Sequence, residues 1–140
     1  MLNGGNWEYT PSGDETVTVT VRCTDDCGEY CEDTFVITFD INEAPVCTVP
    51  EDQTFFQCTP TMVSLPVSAT DGDDNLTGCT IMSGPGMLNG GNWEYTPSGD
   101  ETVSMTVRCT DDCGEYCEDT FVITFDINAV SYTHLTLPTN

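Results

Sequence analysis

The chain has 140 residues and a mass of 15.2 kDa, room for one ordinary domain and a fragment of another. It sets 24 Asp and Glu against two Arg and no Lys, a formal charge of −22; this excludes nucleic acid and anionic membrane surfaces, which both need a cationic face. Apolar residues at 38% and aromatics at 9% are too much core material for an acidic disordered tail, so the chain should fold, and no apolar run approaches the ~18 residues of a membrane span.

In chain order, residues 1–42 return at 87–128 with 40 of 42 positions identical; only Thr18 (Ser104) and Val19 (Met105) differ. The period is 86 residues, so 43–128 is expected to be one complete unit and 1–42 the back half of another. Met1 then matches the internal Met87, and the chain is expected to be a window on a longer tandem array. Within the complete unit, short strands are predicted at 45–49 and 54–58, and an inward face at Val63, Leu65, Val67 and Ala69, with Pro66 turned away and marking an edge or bulge. Another short strand is predicted over 76–82, and after Asn89-Gly90-Gly91 one that places Trp93 and Tyr95 on one face. From Thr102 to Thr110 apolar residues fall on odd numbers and polar ones on even numbers, the mark of a half-buried strand. A turn over 111–116 leads to a partner strand with Phe121, Ile123, Phe125 and Ile127 alternating. Six or seven short strands without a helical period predict an all-β antiparallel sandwich. The half-unit supplies only its last strands, leaving an apolar edge unpaired. Residues 129–140 carry no acid, hold the one histidine, His134, and break the repeat; they resemble translated sequencing-adapter read-through and are expected to be non-native.

The stretch from Asn92 to Asn128 (NWEYTPSGDETVSMTVRCTDDCGEYCEDTFVITFDIN), with the Glu43-Ala44-Pro45-Val46 that follows its first copy, resembles the tandem immunoglobulin-like and cadherin-like repeats of large bacterial surface proteins. Val67-Ser68-Ala69-Thr70-Asp71-Gly72-Asp73 is similar to the Ala-Thr-Asp-x-Asp segment of the same repeats. The likeness covers the whole unit and implies an immunoglobulin-like sandwich at the cell surface, whose partners are neighbouring repeats of its own chain. The sequence departs from such repeats in its six cysteines per unit.

Cys47, Cys58, Cys79, Cys109, Cys113 and Cys117 belong to the complete unit, and Cys23, Cys27 and Cys31 to the half-unit. An even count in a small acidic sandwich favours an oxidising exterior and three disulfides per unit. Cys109 and Cys117 share inward parity and can pair with each other; the resemblance also places Cys113 near Cys47, and the connectivity stays open. A zinc site lacks both the Cys-x2-Cys spacing and a histidine. A nucleophilic cysteine would be surrounded by Asp111, Asp112, Glu115 and Glu118, which hold a thiol protonated.

The complete unit holds fifteen acids and one Arg, 1 − 15 = −14. These carboxylates are either solvated turn formers or calcium ligands, since Ca2+ takes six to eight oxygens in flexible geometry. The resemblance to cadherin-like junctions assigns Asp40, Asn42, Asp71 and Asp73 as ligands, with Asp74, Asp111 and Asp112 as further candidates. An EF-hand is excluded, because its glycine and closing glutamate positions are Leu76 and Met82. Asn75-Leu76-Thr77 is a glycosylation sequon, expected in an exposed loop. Trp93 and Tyr95 are expected in the core rather than on a carbohydrate platform, with Tyr116 exposed in the turn.

No acid, base and nucleophile set assembles in this sequence, so it does not point to an enzyme. The leading expectation is an extracellular structural repeat of a stalk, adhesin or filament, stapled by disulfides and stiffened by Ca2+ at repeat junctions. The alternative is an immunoglobulin-like binding module whose polar loops recognise a glycan or protein.

Overall fold

A computed structural model describes residues 1–128; His134 and the rest of the adapter-like tail lie outside the described residues. The chain divides into two compact units, Met1–Asn42 and Glu43–Asn140. All regular structure among the described residues is β-strand, and no helix is long and apolar enough to cross a membrane.

The first unit opens with β1 (Leu2–Asn3) and β2 (Asn6–Trp7), which pair Leu2 with Trp7. Gly4 and Gly5 join them at φ of 56° and 85°, the double positive φ of a tight hairpin turn. The long strands β3 (Glu15–Thr24) and β4 (Tyr30–Phe39) then pair in unbroken antiparallel register from Glu15↔Phe39 to Thr24↔Tyr30. Period-two alternation sets Val17, Val19 and Val21 on one face with Phe35 and Ile37, while Thr16–Thr38 and Thr20–Thr34 hydroxyls bond across the other at 3.2 and 2.9 Å. Asp25 closes the turn, its Oδ1 accepting the Cys27 and Glu29 N–H groups at 2.9 Å each.

The second unit is an all-strand sandwich. Its strands are β5 (Val46–Thr48), β6 (Gln53–Gln57), β7 (Val63–Pro66), β8 (Ser68–Thr70), β9 (Leu76–Ser83), β10 (Met87–Asn89), β11 (Asn92–Tyr95), β12 (Glu101–Asp111) and β13 (Tyr116–Ile127). One sheet has the order β6-β13-β12-β9; against it lie β10-β11-β7 and the pair β5-β8. The sandwich is antiparallel except at one edge. There β6 runs parallel to β13, stacking Phe55 on Phe125 at 6.1 Å. The predicted inward face at 63–69 is two strands rather than one: β7 joins β11, β8 joins β5, and Val67 between them donates its N–H to the Gly91 carbonyl. Pro66, which has no N–H to give, sits at the switch.

The core is filled by Val103, Met105, Val107, Cys109, Phe121, Ile123, Phe125 and Ile127 from β12 and β13, capped by Val63, Val67 and Trp93. Trp93 is wholly buried, meets Phe121 edge-on at 5.5 Å and donates its indole N–H to the Pro85 carbonyl at 2.9 Å. Gly86, at φ 93°, lets the backbone pass where a side chain would strike that indole.

Candidate functional site: an acidic pole and two disulfides

The strands of the large sheet end at a turn and a loop that together carry six of the unit's fifteen acidic residues. In the turn between β12 and β13, Asp111 is buried; its Oδ1 accepts the Glu115 N–H at 2.8 Å and its own N–H bonds the Glu115 carbonyl at 2.9 Å. The loop before β9 is organised by Asp71, whose Oδ1 accepts the Asp73 N–H at 2.9 Å while its carbonyl accepts the Asp74 N–H at 3.3 Å. Asp74 takes φ 55°, a left-handed conformation that Asp tolerates better than most side chains. Asn75 clamps loop to turn: its amide donates to Asp112 Oδ1 at 2.8 Å and its carbonyl accepts the Asp112 N–H at 3.1 Å.

The start of the unit reaches the same place. Glu43 donates its N–H to Asp73 Oδ2 at 2.7 Å, and its carboxylate lies over Gly72, where a Cβ would come within 2.8 Å of Glu43 Oε2. Asp71 Oδ2 is buried without a hydrogen-bond partner among the described residues. Glu43, Asp71, Asp73 and Asp112 therefore crowd negative charge at one end of the sandwich. Arg108 does not offset it there, being paired with Glu118 at 2.7 Å and stacked on the Tyr116 ring at 4.0 Å. The exposed Cys113 thiol registers the field: desolvation first, then its contact with Asp112 and the charges of Asp112, Asp111 and Asp73, raise its pKa above the usual thiol value.

The structure thus brings Asp71, Asp73, Asn75, Asp111 and Asp112 to one pole, with Asp74 exposed at the loop tip. Asp40 and Asn42 belong to the first unit, after β4, where the neighbouring Ile41 N–H bonds Asp14 Oδ1 at 2.7 Å. Glu43, which is not among the candidate ligands assigned from sequence, also reaches this pole. Its signal was its position, the first charged side chain after the linker. The Asn75 sequon is not an open loop: Asn75 is half-buried, its amide engaged by Asp112, and Thr77 Oγ1 donates to the Thr110 carbonyl at 2.6 Å. Trp93 lies in the core, and Tyr116, half exposed, has one ring face covered by Arg108.

Two disulfides anchor this end. Cys47 of β5 joins Cys117 of β13 across the sandwich, and Cys79 of β9 joins Cys109 of β12 within the sheet. This differs from both pairings considered from sequence. Cys109 stands directly opposite Cys117 on one side and Cys79 on the other, and the sulfurs of Cys47, Cys109 and Cys117 all lie within 4.8 Å of one another. Alternation alone cannot choose among such neighbours; the arrival of β5 over Cys117 does. Nor does the unit form a third bridge, since Cys58 and Cys113 are free. Cys113 sits in the turn before β13, whereas Cys58 follows β6, whose Gln57 pairs with Ile127 at the far end of that strand. Twelve residues of strand put them on the order of 30 Å apart, beyond any disulfide.

No family model matches the chain, and no curated protein matches it. Among solved structures, one described as "Structures of Clostridium thermocellum CbhA fibronectin(III)-like modules" is similar at a TM-score of 0.48 and 12% identity, over 90% of this chain and 70% of that one.

Proposed function

We propose that the chain is a structural module of an extracellular tandem array, a stalk, adhesin or filament, whose units are held by disulfides and stiffened by Ca2+ at the acidic pole. The observation that carries this reading is the convergence at one end of the sandwich. There the entering residue Glu43 docks on the Asp71–Asp73 loop beside an unpartnered buried carboxylate oxygen, with two disulfides close by. Disulfides persist in oxidising surroundings, which supports a position outside the cell. Uncompensated carboxylates repel, and a hard divalent cation bridging Glu43, Asp71, Asp73 and Asp112 would turn that repulsion into a clamp on the entry to the unit. Nothing in this reading asks for catalysis.

The test is thermal unfolding with added Ca2+ or chelator. In the range about 10⁻⁴ to 10⁻³ M, where extracellular modules bind, the midpoint should rise with Ca2+ and fall back with chelator. Replacing both Asp71 and Asp73 by Asn should abolish the response. An unchanged midpoint in the parent chain removes calcium and leaves a passive spacer.

A further inference from the structure

The four bridged cysteines of the second unit lie side by side. Cys79, Cys109 and Cys117 stand in line across β9, β12 and β13, since Cys109 is directly opposite Cys79 on one side and Cys117 on the other. Cys47 reaches Cys117 from β5, and the sulfurs of Cys47, Cys109 and Cys117 all fall within 4.8 Å of one another. The bridges Cys79–Cys109 and Cys47–Cys117 are therefore neighbours, and the first has an approach from outside. A cleft of about 400 Å³, whose walls include Val67, Ala69, Leu76, Cys79, Leu88 and Gly91, lies at the side of the sandwich where β9 ends its sheet and the opposite layer is split between the edge strands β8 and β10. Cys79 is half-buried in that wall, whereas Cys109 behind it is wholly buried.

We propose that Cys79 is a thiol-exchange site and that the four cysteines form a relay, which passes a disulfide from β5 to the β12-β13 hairpin. The substrate class is a small thiol, neutral or cationic, because fifteen acids against one Arg in the unit repel an anionic one. The thiolate RS⁻ enters the cleft and attacks the Cys79 sulfur, forming a Cys79–S–S–R mixed disulfide and expelling the Cys109 thiolate. That thiolate is out of water, where a bare charge is costly, and the electrophile beside it is the Cys47–Cys117 bond. It attacks the Cys117 sulfur and expels Cys47, which takes a proton from water. Two S–S bonds are present before and after, so no oxidant or reductant is consumed. Register favours Cys117 over Cys47 as the point of attack. Opposed residues of an antiparallel pair have Cα atoms about 4.5–5.5 Å apart, a span that a disulfide bridges without backbone movement. The product differs mechanically from the starting state. β5 is three residues long, pairs with β8 and is tied to the large sheet by Cys47–Cys117. Exchange turns a bridge between the layers into one within the hairpin and leaves β5 without a covalent tie. None of this rests on Ca2+, whose effect on the unfolding midpoint is a separate test.

In the experiment, the exposed thiols of the folded full chain, Cys23, Cys27, Cys31, Cys58 and Cys113, are first capped with N-ethylmaleimide. Cysteamine is then added and the reaction is stopped with iodoacetamide. Cleavage at arginine without reduction gives 1–22, 23–108 and 109–140, because Arg22 and Arg108 are the only Arg or Lys residues. Both starting bridges join 23–108 to 109–140. The expected result is release of 109–140 with an internal Cys109–Cys117 bridge, cysteamine on Cys79 and the iodoacetamide label on Cys47. Amide protection should be lost over β5 and β8 and kept over β12 and β13. Ser68→Trp, at the exposed rim of the cleft, should slow the release severalfold. Cys79→Ser, which leaves the Cys109 thiol free from the outset, should release 109–140 with no cysteamine added. The proposal is overturned if 109–140 stays joined to 23–108 until both bridges are reduced together, if cysteamine is found on Cys47 or Cys117 while Cys79–Cys109 is intact, or if Cys79→Ser keeps Cys47–Cys117.

Discussion

The hairpins β3-β4 and β12-β13 are nearly one sequence in two environments. Each pairs its strands in the same register, bonds the same threonines across the outer face at 3.2 and 2.9 Å, and sets an arginine on a glutamate and a tyrosine ring. Yet Phe121 is wholly buried and its counterpart Phe35 is 37% exposed. Local structure, then, is set by the alternation of side chains and by cross-strand pairs, which both copies own. Burial is set by a distant partner, which among the described residues only β12-β13 has. Most of the stability of a sandwich comes from that burial, so the two copies should respond differently to the same change.

The sharpest way to break the comparison is reduction. Loops of 70 and 30 residues imply about 4 kcal/mol for each bridge on chain-entropy grounds. Reducing both should shift the denaturant midpoint of the second unit steeply and leave amide exchange over β3 and β4 unchanged. Trp93→Ala comes next, with an expected loss of about 3–5 kcal/mol from cavity formation, read from the same denaturation curve. Trp7→Ala, at a half-exposed position, should cost under about 1 kcal/mol. The smallest contrast is at the strand end, where Asp100 Oδ1 accepts the half-buried Ile127 N–H at 2.7 Å and Asp14 Oδ1 accepts the exposed Ile41 N–H at the same distance. Asp100→Ala should cost about 1–3 kcal/mol by stranding a donor, whereas water replaces Asp14 at almost no cost. Equal losses in the two hairpins would show that the first is as well covered as the second.

Much of this was open to reading without coordinates. The odd-numbered apolar positions from Val103 to Cys109 are the buried ones, and Trp93 lies in the core. The strand break at Val67 was signalled by Pro66 only as an edge or bulge, because a missing N–H says where pairing stops and not which sheet takes over. The parallel pairing of β6 with β13 was invisible, since its register joins residues such as Phe55 and Phe125 far apart in the chain. At the acidic pole, Asp71, Asp73 and Asp112 announced themselves by loop composition. Glu43 did not, because its place depends on where the unit's entry docks.

The amino-acid sequence by itself determined an all-strand chain, the two hairpins and their registers, and which side chains point inward, because a two-residue period is a property of neighbours. Tertiary structure decided which apolar faces are covered, which of six cysteines join and which two stay free, and which carboxylates meet. Those outcomes depend on the approach of segments tens of residues apart, and closing a long loop is decided by the whole set of contacts it gains rather than by any residue within it.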